Sequence, residues 1–137
     1  MSTVIEHSVQ ARMVAFAPQL ETLPATLQYD RTDPFAVRMT FPATATLKGA
    51  EVSWEFSREL LAAGVDGAAG VGDVRIRPYG HGRTVLEFHG AEGVAMVHVR
   101  TAELRLFLER AQELVPAGEE HRFLDLDRSL AALFGEA

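Results

Sequence analysis

The ten residues Val52–Leu61, with the sequence VSWEFSRELL, change their hydrophobic period halfway along. The alternating apolar side chains of the first half, typical of a strand with one buried face, are Val52, Trp54 and Phe56. In the second half, Leu60 follows an aromatic residue at a spacing of four, and Gly64 stands where a helix commonly ends. The stretch therefore predicts a sheet strand that runs directly into a short helix. The only tryptophan of the chain is expected to be buried at its centre.

The same alternation of apolar and polar residues recurs along the chain and predicts further strands. These are Ile5–Ala15, Ala25–Tyr29, Ala36–Phe41, Asp73–Pro78, Arg83–His89 and Val94–Arg100. Pro18 and Pro24 are expected to bracket a loop before the second of them. Apolar residues at spacings of three and four predict a long helix with Thr101 as its N-cap, ending before Pro116, and a short helix over residues 126–134. The order of elements suggests two similar halves, ββββα or βββα.

The composition is that of one globular domain, expected to cover residues 1–137, with 47% hydrophobic and 23% charged residues. The absence of cysteine excludes disulfides, a thiol nucleophile and thiolate metal ligands. No leader-like segment opens the sequence, and no apolar run approaches the roughly 18 residues of a membrane span. We therefore expect a cytoplasmic protein with no direct membrane insertion. The net charge of -6 argues against nucleic acid as a main partner, because phosphate binding requires a positive field.

The motifs that would carry catalysis or ligand binding are missing or have a simpler explanation. Asp30 and Asp33 lie beside Pro34, a pattern that predicts a hairpin turn better than an acid–base pair. The glycine-rich segment Asp66–Asp73 lacks the ending of a phosphate loop and leads into a strand. The five histidines are scattered, and His7, on the apolar side of the first strand, is expected at the edge of the core. The sequence thus predicts a protein that is not an enzyme and that has no cofactor and no metal.

Two groups of residues are candidates for contact with a protein partner. The first group is expected to share one face of the second half of the chain and consists of Arg75, Arg77, His98 and Arg100. Such a patch is typical of a solvated surface, but it also suits the binding of an acidic segment of a partner. The second group lies on the decapeptide and consists of Trp54, Glu55 and Arg58. The residues predicted to bind protein are Glu55, Arg58, Arg75, Arg77 and Arg100. Lys48 is the only lysine, and this arginine bias suits bidentate pairing with carboxylates, although genomic base composition also produces it.

Several short motifs together resemble one protein family. They are YDRTDPFAVR at Tyr29–Arg38, WEFSRELL at Trp54–Leu61, GVGDVRIRP at Gly70–Pro78, FLER at Phe107–Arg110, VPAGEEH at Val115–His121 and LDLD at Leu124–Asp127. Each motif is weak alone, but their order and spacing over nearly the whole chain resemble the SsgA-like proteins of actinomycetes, and most of all the SsgB branch. The resemblance implies an α+β, Whirly-like fold, with two antiparallel four-stranded sheets packed with helices, assembled as a homotrimer.

The resemblance also implies a non-enzymatic role in sporulation-specific cell division. Family members help to recruit and position FtsZ, control septum placement and work with other SsgA-like or division proteins, so the protein is expected at the division septum. Arg77 stands where the family pattern has tryptophan, and Phe35 where it has tyrosine, which puts the choice of partner in question. One alternative is a Whirly-like protein that binds single-stranded nucleic acid. Another is a hydrolase or ligand-binding barrel, which an interior filled by Trp54, Phe56, Phe88 and Phe107 would exclude.

Overall fold

A computed structural model of the chain describes residues 4–14, 22–43, 49–91 and 93–124. Seven strands and two helices occupy these ranges, and residues 120–124 form a further short helical turn. In chain order the elements are β1 (Val4–Met13), β2 (Thr22–Asp30), β3 (Ala36–Phe41), β4 (Val52–Ser57), α1 (Arg58–Gly64), β5 (Val74–Pro78), β6 (Arg83–Gly90), β7 (Gly93–Arg100) and α2 (Thr101–Leu114). The predicted succession of strands, short helix, strands and long helix is confirmed.

All seven strands belong to one antiparallel sheet in the order β4-β3-β2-β1-β7-β6-β5. It consists of a first meander, β1 to β4, and a second meander, β5 to β7, each joined by local connections. β1 links the two meanders, because it pairs with β2 along nearly its whole length and with β7 at its far end. The β1–β7 pairing matches Arg12 with His98 and Met13 with Val97, and Val14 N donates to Met96 O at 2.9 Å.

The prediction of a Whirly-like arrangement, with two antiparallel four-stranded sheets packed with helices, is wrong. The described residues form a single seven-stranded sheet that nearly closes on itself like a barrel, and α1 and α2 are their only helices apart from the short turn at residues 120–124. The physical reason lies in β1, whose ten residues are long enough to pair with a neighbour on each side. The two meanders therefore merge into one sheet, where the family resemblance implied two.

The interior of this curved sheet is filled by apolar side chains. Trp54 of β4 stacks on Phe88 of β6 with ring centroids 5.1 Å apart, and Phe56 and Phe41 surround the same ring at 6.4 Å and 6.0 Å. Phe107 is fully buried. The four aromatic side chains named in the sequence analysis thus fill the interior, and this excludes the alternative of a ligand-binding barrel. Trp54 itself is half-buried and lies where the two ends of the sheet meet, so its predicted burial is only partly confirmed.

Pro24 lies inside β2 and not in the loop predicted before it. β2 is paired with β1 at this position, but its pairing with β3 covers only Thr26–Gln28. Proline lacks a backbone donor, and it is tolerated here because β2 has a neighbour on one side only. The predictions for Ala15, Pro18 and residues 126–134 lie outside the described residues.

α2 covers the wedge that opens where β1 and β7 separate. Its buried residues are Leu104, Phe107 and Ala111. Arg110 Nη1 donates to the backbone oxygen of Glu6 at 3.3 Å, and His7 Nε2 lies 2.6 Å from Glu103 Oε2. The prediction of His7 at the edge of the core is confirmed, since only 13% of its side chain is exposed. Arg100, and not Thr101, occupies the N-cap, and it makes no side-chain capping bond.

α1 packs so closely on β5 that its last residue has no space for a side chain. A Cβ atom on Gly64 would lie 2.4 Å from both Cβ and Cγ2 of Ile76, which is itself buried. Such a distance is well inside van der Waals contact. The glycine that the sequence marked as a helix end therefore also sets the distance between α1 and the sheet.

We expect Gly64→Ala to lower the free energy of unfolding by roughly 1–3 kcal/mol, the usual cost of overpacking a core. This is the opposite of the gain that alanine normally brings within a helix. Urea denaturation checks the value, with Gly67→Ala as the matched control, because a Cβ at Gly67 would meet no atom within 4 Å. Equal stability of the two variants would contradict the close packing of α1 on β5.

Candidate partner-binding surfaces

The strand register places the predicted arginines and His98 on the same face of the second meander. Arg77 is matched with Val85 and Val85 with His98, while Arg75 is matched with Glu87. Directly paired residues of antiparallel strands point to the same side of a sheet. This face, called here the outer face of β5–β7, lies opposite the filled interior.

Two of the predicted arginines on the outer face of β5–β7 already have partners. Arg77 forms an ion pair with Glu87, which also lies 3.1 Å from His89 Nε2. Arg75 Nε donates to Gly72 O at 3.3 Å, and no carboxylate of the described residues forms an ion pair with it. The charge of Arg77 is therefore largely neutralised locally, whereas that of Arg75 remains available to a partner.

His98 lies at the centre of this face in an unusual environment. Its ring stacks on that of Tyr79 with centroids 5.2 Å apart, and its Nδ1 atom is buried with no hydrogen-bond partner among the described residues. Burial, and then the nearby charges of Arg83 and Arg12, lower the pKa of His98 below its ordinary value of 6.5. The imidazole is consequently neutral at pH 7.

Three arginines converge beside His98 at the junction of the two meanders. Arg83 of β6 lies directly opposite Arg100 of β7, and Arg12 of β1 lies opposite His98. None of these three forms an ion pair within the described part of the chain. They line a cavity of about 370 Å³, called here the arginine pocket, together with Ser8, Val9, Gln10, Thr22 and Glu103.

Sequence reasoning missed Arg12 and Arg83. The signal for Arg83 was present, because a hairpin that turns at Gly90–Gly93 places Arg83 opposite Arg100. No comparable signal existed for Arg12. Its position follows from the pairing of β1 with β7, the first and the last of the described strands in sequence order.

Glu55 lies on a different surface from the arginine pocket. It is exposed on β4, which pairs only with β3 among the described strands, and its carboxylate is 3.9 Å from Arg38 Nη2. Glu55 and Arg38 line a shallow cavity of about 290 Å³ with Asp30 and Asp33. Nowhere in the described ranges do three or more His, Asp or Glu side chains come together as a metal site would require.

The two aspartates of this cavity belong to the turn that the sequence predicted. Asp30 Oδ1 accepts from both the backbone N and Oγ1 of Thr32, at 2.9 Å each. Asp33 N donates to Asp30 O at 2.9 Å. The turn between β2 and β3 is thus confirmed, and it accounts for the bonds that the Asp30 carboxylate makes.

Arg58 is buried, with 5% of its surface exposed. Its Nη1 donates to Val115 O at 2.7 Å and to Tyr29 Oη at 3.0 Å, and its Nη2 donates to Gln112 Oε1 at 3.3 Å. Tyr29 in turn donates to Pro34 O at 2.9 Å. Burial raises the pKa of the Tyr29 phenol above its ordinary value, although the adjacent guanidinium opposes the change. Arg58 thus joins the β2–β3 turn to the end of α2 from inside the molecule.

These features define a class of protein. It is a small antiparallel β-sheet protein whose interior is filled by apolar side chains and whose distinctive charged groups lie on the outer faces. No helix in the described portion is long and apolar enough to cross a membrane. The family model described as "Streptomyces sporulation and cell division protein, SsgA" matches residues 23–120. The chain belongs to this SsgA family of sporulation and cell division proteins.

Relatives from several actinomycetes support this assignment. The chain is 37% identical to the sporulation-specific cell division protein SsgB of Streptomyces coelicolor over 142 residues, with both chains covered completely. It is 38% identical to SsgB of Salinispora tropica over 136 residues, covering 96% of this chain and 93% of the relative. The resemblance to the SsgA-like family, and to its SsgB branch, is confirmed.

Solved structures agree with the sequence relatives. An SsgA-like sporulation-specific cell division protein from Thermobifida fusca superposes with a TM-score of 0.84 at 34% identity, covering 96% of each chain. A structure described as "Mutations in SsgB correlate to longitudinal cell division during sporulation of Streptomyces coelicolor" gives a TM-score of 0.78 at 35% identity, covering 90% of this chain and 97% of the other. The single curved sheet is therefore similar to folds seen in relatives of this family.

Replacement of Arg58 by methionine is expected to lower the free energy of unfolding by about 2 kcal/mol. The variant keeps an apolar stem but leaves the buried oxygen of Val115 without this donor. Arg38→Met is the matched control, since Arg38 is exposed and its ion pair is long. Urea denaturation measures both, and a loss of stability for Arg38→Met as large as for Arg58→Met would contradict the assigned role.

His98 makes the stability of the fold depend on pH. Because its folded-state pKa lies below the unfolded value of 6.5, the unfolded chain binds more protons as the pH falls, and the free energy of unfolding decreases from about pH 6.5 downward. We expect His98→Gln to lose less stability than the parent between about pH 7.5 and 5.5. Urea melts across this range test the prediction, with the exposed His121→Gln as control. A parallel decrease for parent and His98→Gln would refute it.

Proposed function

We propose that this protein acts in sporulation-specific cell division as a non-enzymatic adaptor, which helps to recruit and position FtsZ and so controls where the septum forms. The observation that carries the proposal is similarity over the full length of relatives named sporulation-specific cell division protein SsgB. The filled interior supports it as well, because an adaptor acts through its outer surfaces and needs no enclosed reaction chamber.

The proposed contacts with partners lie on the two outer surfaces described above. On the outer face of β5–β7, Arg75 and Arg100 offer exposed positive charge. Arg77 lies on the same face, and its charge is already paired with that of Glu87. On the first meander, the exposed Glu55 offers negative charge. Arg58 contributes from beneath the surface, because its bonds hold the β2–β3 turn in place.

We further propose that the protein is a homotrimer and works in the cytoplasm at the division septum. β4 supports self-association, because it pairs on one side only within the described sheet, and an open strand edge is a surface on which another chain can pair. The alternative of single-stranded nucleic-acid binding rested on a Whirly-like pair of sheets. The single seven-stranded sheet removes that basis.

Co-sedimentation with FtsZ polymers tests the adaptor proposal. We expect the parent protein to pellet with the polymers at about 10 μM, a concentration that reveals complexes of micromolar affinity. Arg100→Glu should reduce the pelleted fraction, because it reverses a charge on the proposed contact face. Arg105→Glu is the control, since Arg105 lies on α2 and pairs with Asp66, away from that face. Absence of binding in both low and physiological salt would refute the FtsZ proposal.

Light scattering of the same samples measures the assembly. The proposed trimer requires a mass of about 45 kDa, three times that of the 15.0 kDa chain. A mass near that of one chain would refute the trimer but leave the FtsZ proposal to the pelleting result.

A further inference from the structure

The arginine pocket concentrates positive charge in an acidic protein. Arg83 and Arg100 are directly matched across β6 and β7, and like charges at opposed positions of a sheet repel each other. Arg12 adds a third positive charge from β1, the strand that pairs with β7. With a net charge of -6 the chain has many carboxylates, yet none within its described part is paired with these three arginines. The arrangement lowers the stability of the isolated molecule and favours an anionic occupant.

The surroundings of the pocket leave its positive potential in place. α2 begins beside it, and its N-cap Arg100 makes no side-chain capping bond, so the partial positive charge of the helix start adds to that of the arginines. Glu103, the one carboxylate among the described residues that line the pocket, is 2.6 Å from His7 Nε2 and is held there. His98, which is matched with Arg12, has a buried Nδ1 with no hydrogen-bond partner in the described ranges.

We propose that the arginine pocket binds an acidic segment of a protein partner, with one carboxylate at Arg83 and Arg100 and a second at Arg12. Guanidinium groups bind carboxylates through two parallel hydrogen bonds, which gives both strength and fixed geometry. This inference rests on the proposed adaptor function and names the chemistry of the partner that one of its surfaces accepts.

The size and charge of the surroundings favour a peptide over a nucleic acid. A cavity of about 370 Å³ lies at the small end of ligand pockets, large enough for a few side chains. A nucleic-acid strand would need a positive track along several phosphates. Here the positive charge is local, because the carboxylate of Glu87 lies on β6, the strand that carries Arg83, and that of Glu103 lies in the first turn of α2.

The test is titration of the full-length, isotope-labelled protein with a capped tetraglutamate peptide, followed by amide chemical shifts. We expect shifts centred on residues 8–12, 83 and 98–103, and an affinity that falls as salt is added. Arg83→Gln and Arg12→Gln should each weaken binding about tenfold, the usual scale for a charge-assisted hydrogen bond. Arg83→Lys should restore only part of the loss, because lysine keeps the charge but not the paired donors.

Three controls make the result specific. Arg105→Gln removes an arginine of the same charge away from the pocket and should change affinity less than twofold, as expected for a distant surface charge. The matched tetraglutamine peptide should not bind. Urea denaturation of each variant confirms that the folded state is retained before binding is compared.

Several outcomes would overturn the proposal. These are no shifts at millimolar tetraglutamate, equal binding of tetraglutamine, or equal weakening by Arg105→Gln. Tighter binding of a single-stranded oligothymidine, lost in Arg83→Gln, would assign the pocket to nucleic acid. The parent protein could fail to bind the peptide while Arg83→Gln gives a lower mass than the parent by light scattering. That result would assign the arginine pocket to a second copy of this chain. Peptide binding without FtsZ pelleting would separate this proposal from the FtsZ proposal, as would the reverse.

Discussion

The short ladder between β1 and β7 is the contact on which the rest of the structure depends. Only Arg12 and Met13 of β1 are matched with β7, but this pairing turns two meanders into one sheet. Beyond it the strands separate, and α2 fills the resulting wedge with buried leucine, phenylalanine and alanine side chains. The same pairing brings Arg12 beside the cross-strand pair of Arg83 and Arg100. Fold, helix position and arginine pocket therefore share one origin.

Polar contacts inside the molecule complement that ladder at the other end of α2. The guanidinium of Arg58 contacts the phenol of Tyr29 and the backbone of Val115, so a loop of the first meander, the start of α1 and the end of α2 meet at one side chain. A buried charge is costly unless its donors are used, and here hydrogen bonds and the Tyr29 ring engage it. An arginine that the sequence offered as a surface contact is instead part of the framework.

Local features of the structure could be predicted from the sequence, and long-range ones could not. Period-two patterns located all seven strands, and the change of period after Phe56 located the start of α1. These signals depend on residues a few positions apart. The joining of the two meanders into one sheet depends on the pairing of Arg12 with His98. The burial of Arg58 depends on its hydrogen bond to Val115. Neither contact produces a signal in the local hydrophobic periodicity. The candidate site divides in the same way, since Arg100 was found from its strand while Arg12 was not.

The β1–β7 ladder also has a consequence for synthesis of the chain. The first meander is complete once β4 has been made, but one edge of β1 must wait until β7 emerges from the ribosome. During that interval the nascent chain exposes an open strand end and an unfilled wedge, since α2 follows β7 directly. Joining positions so far apart carries the entropic cost of closing a long loop, so docking of the two meanders is expected to be the slow step of folding.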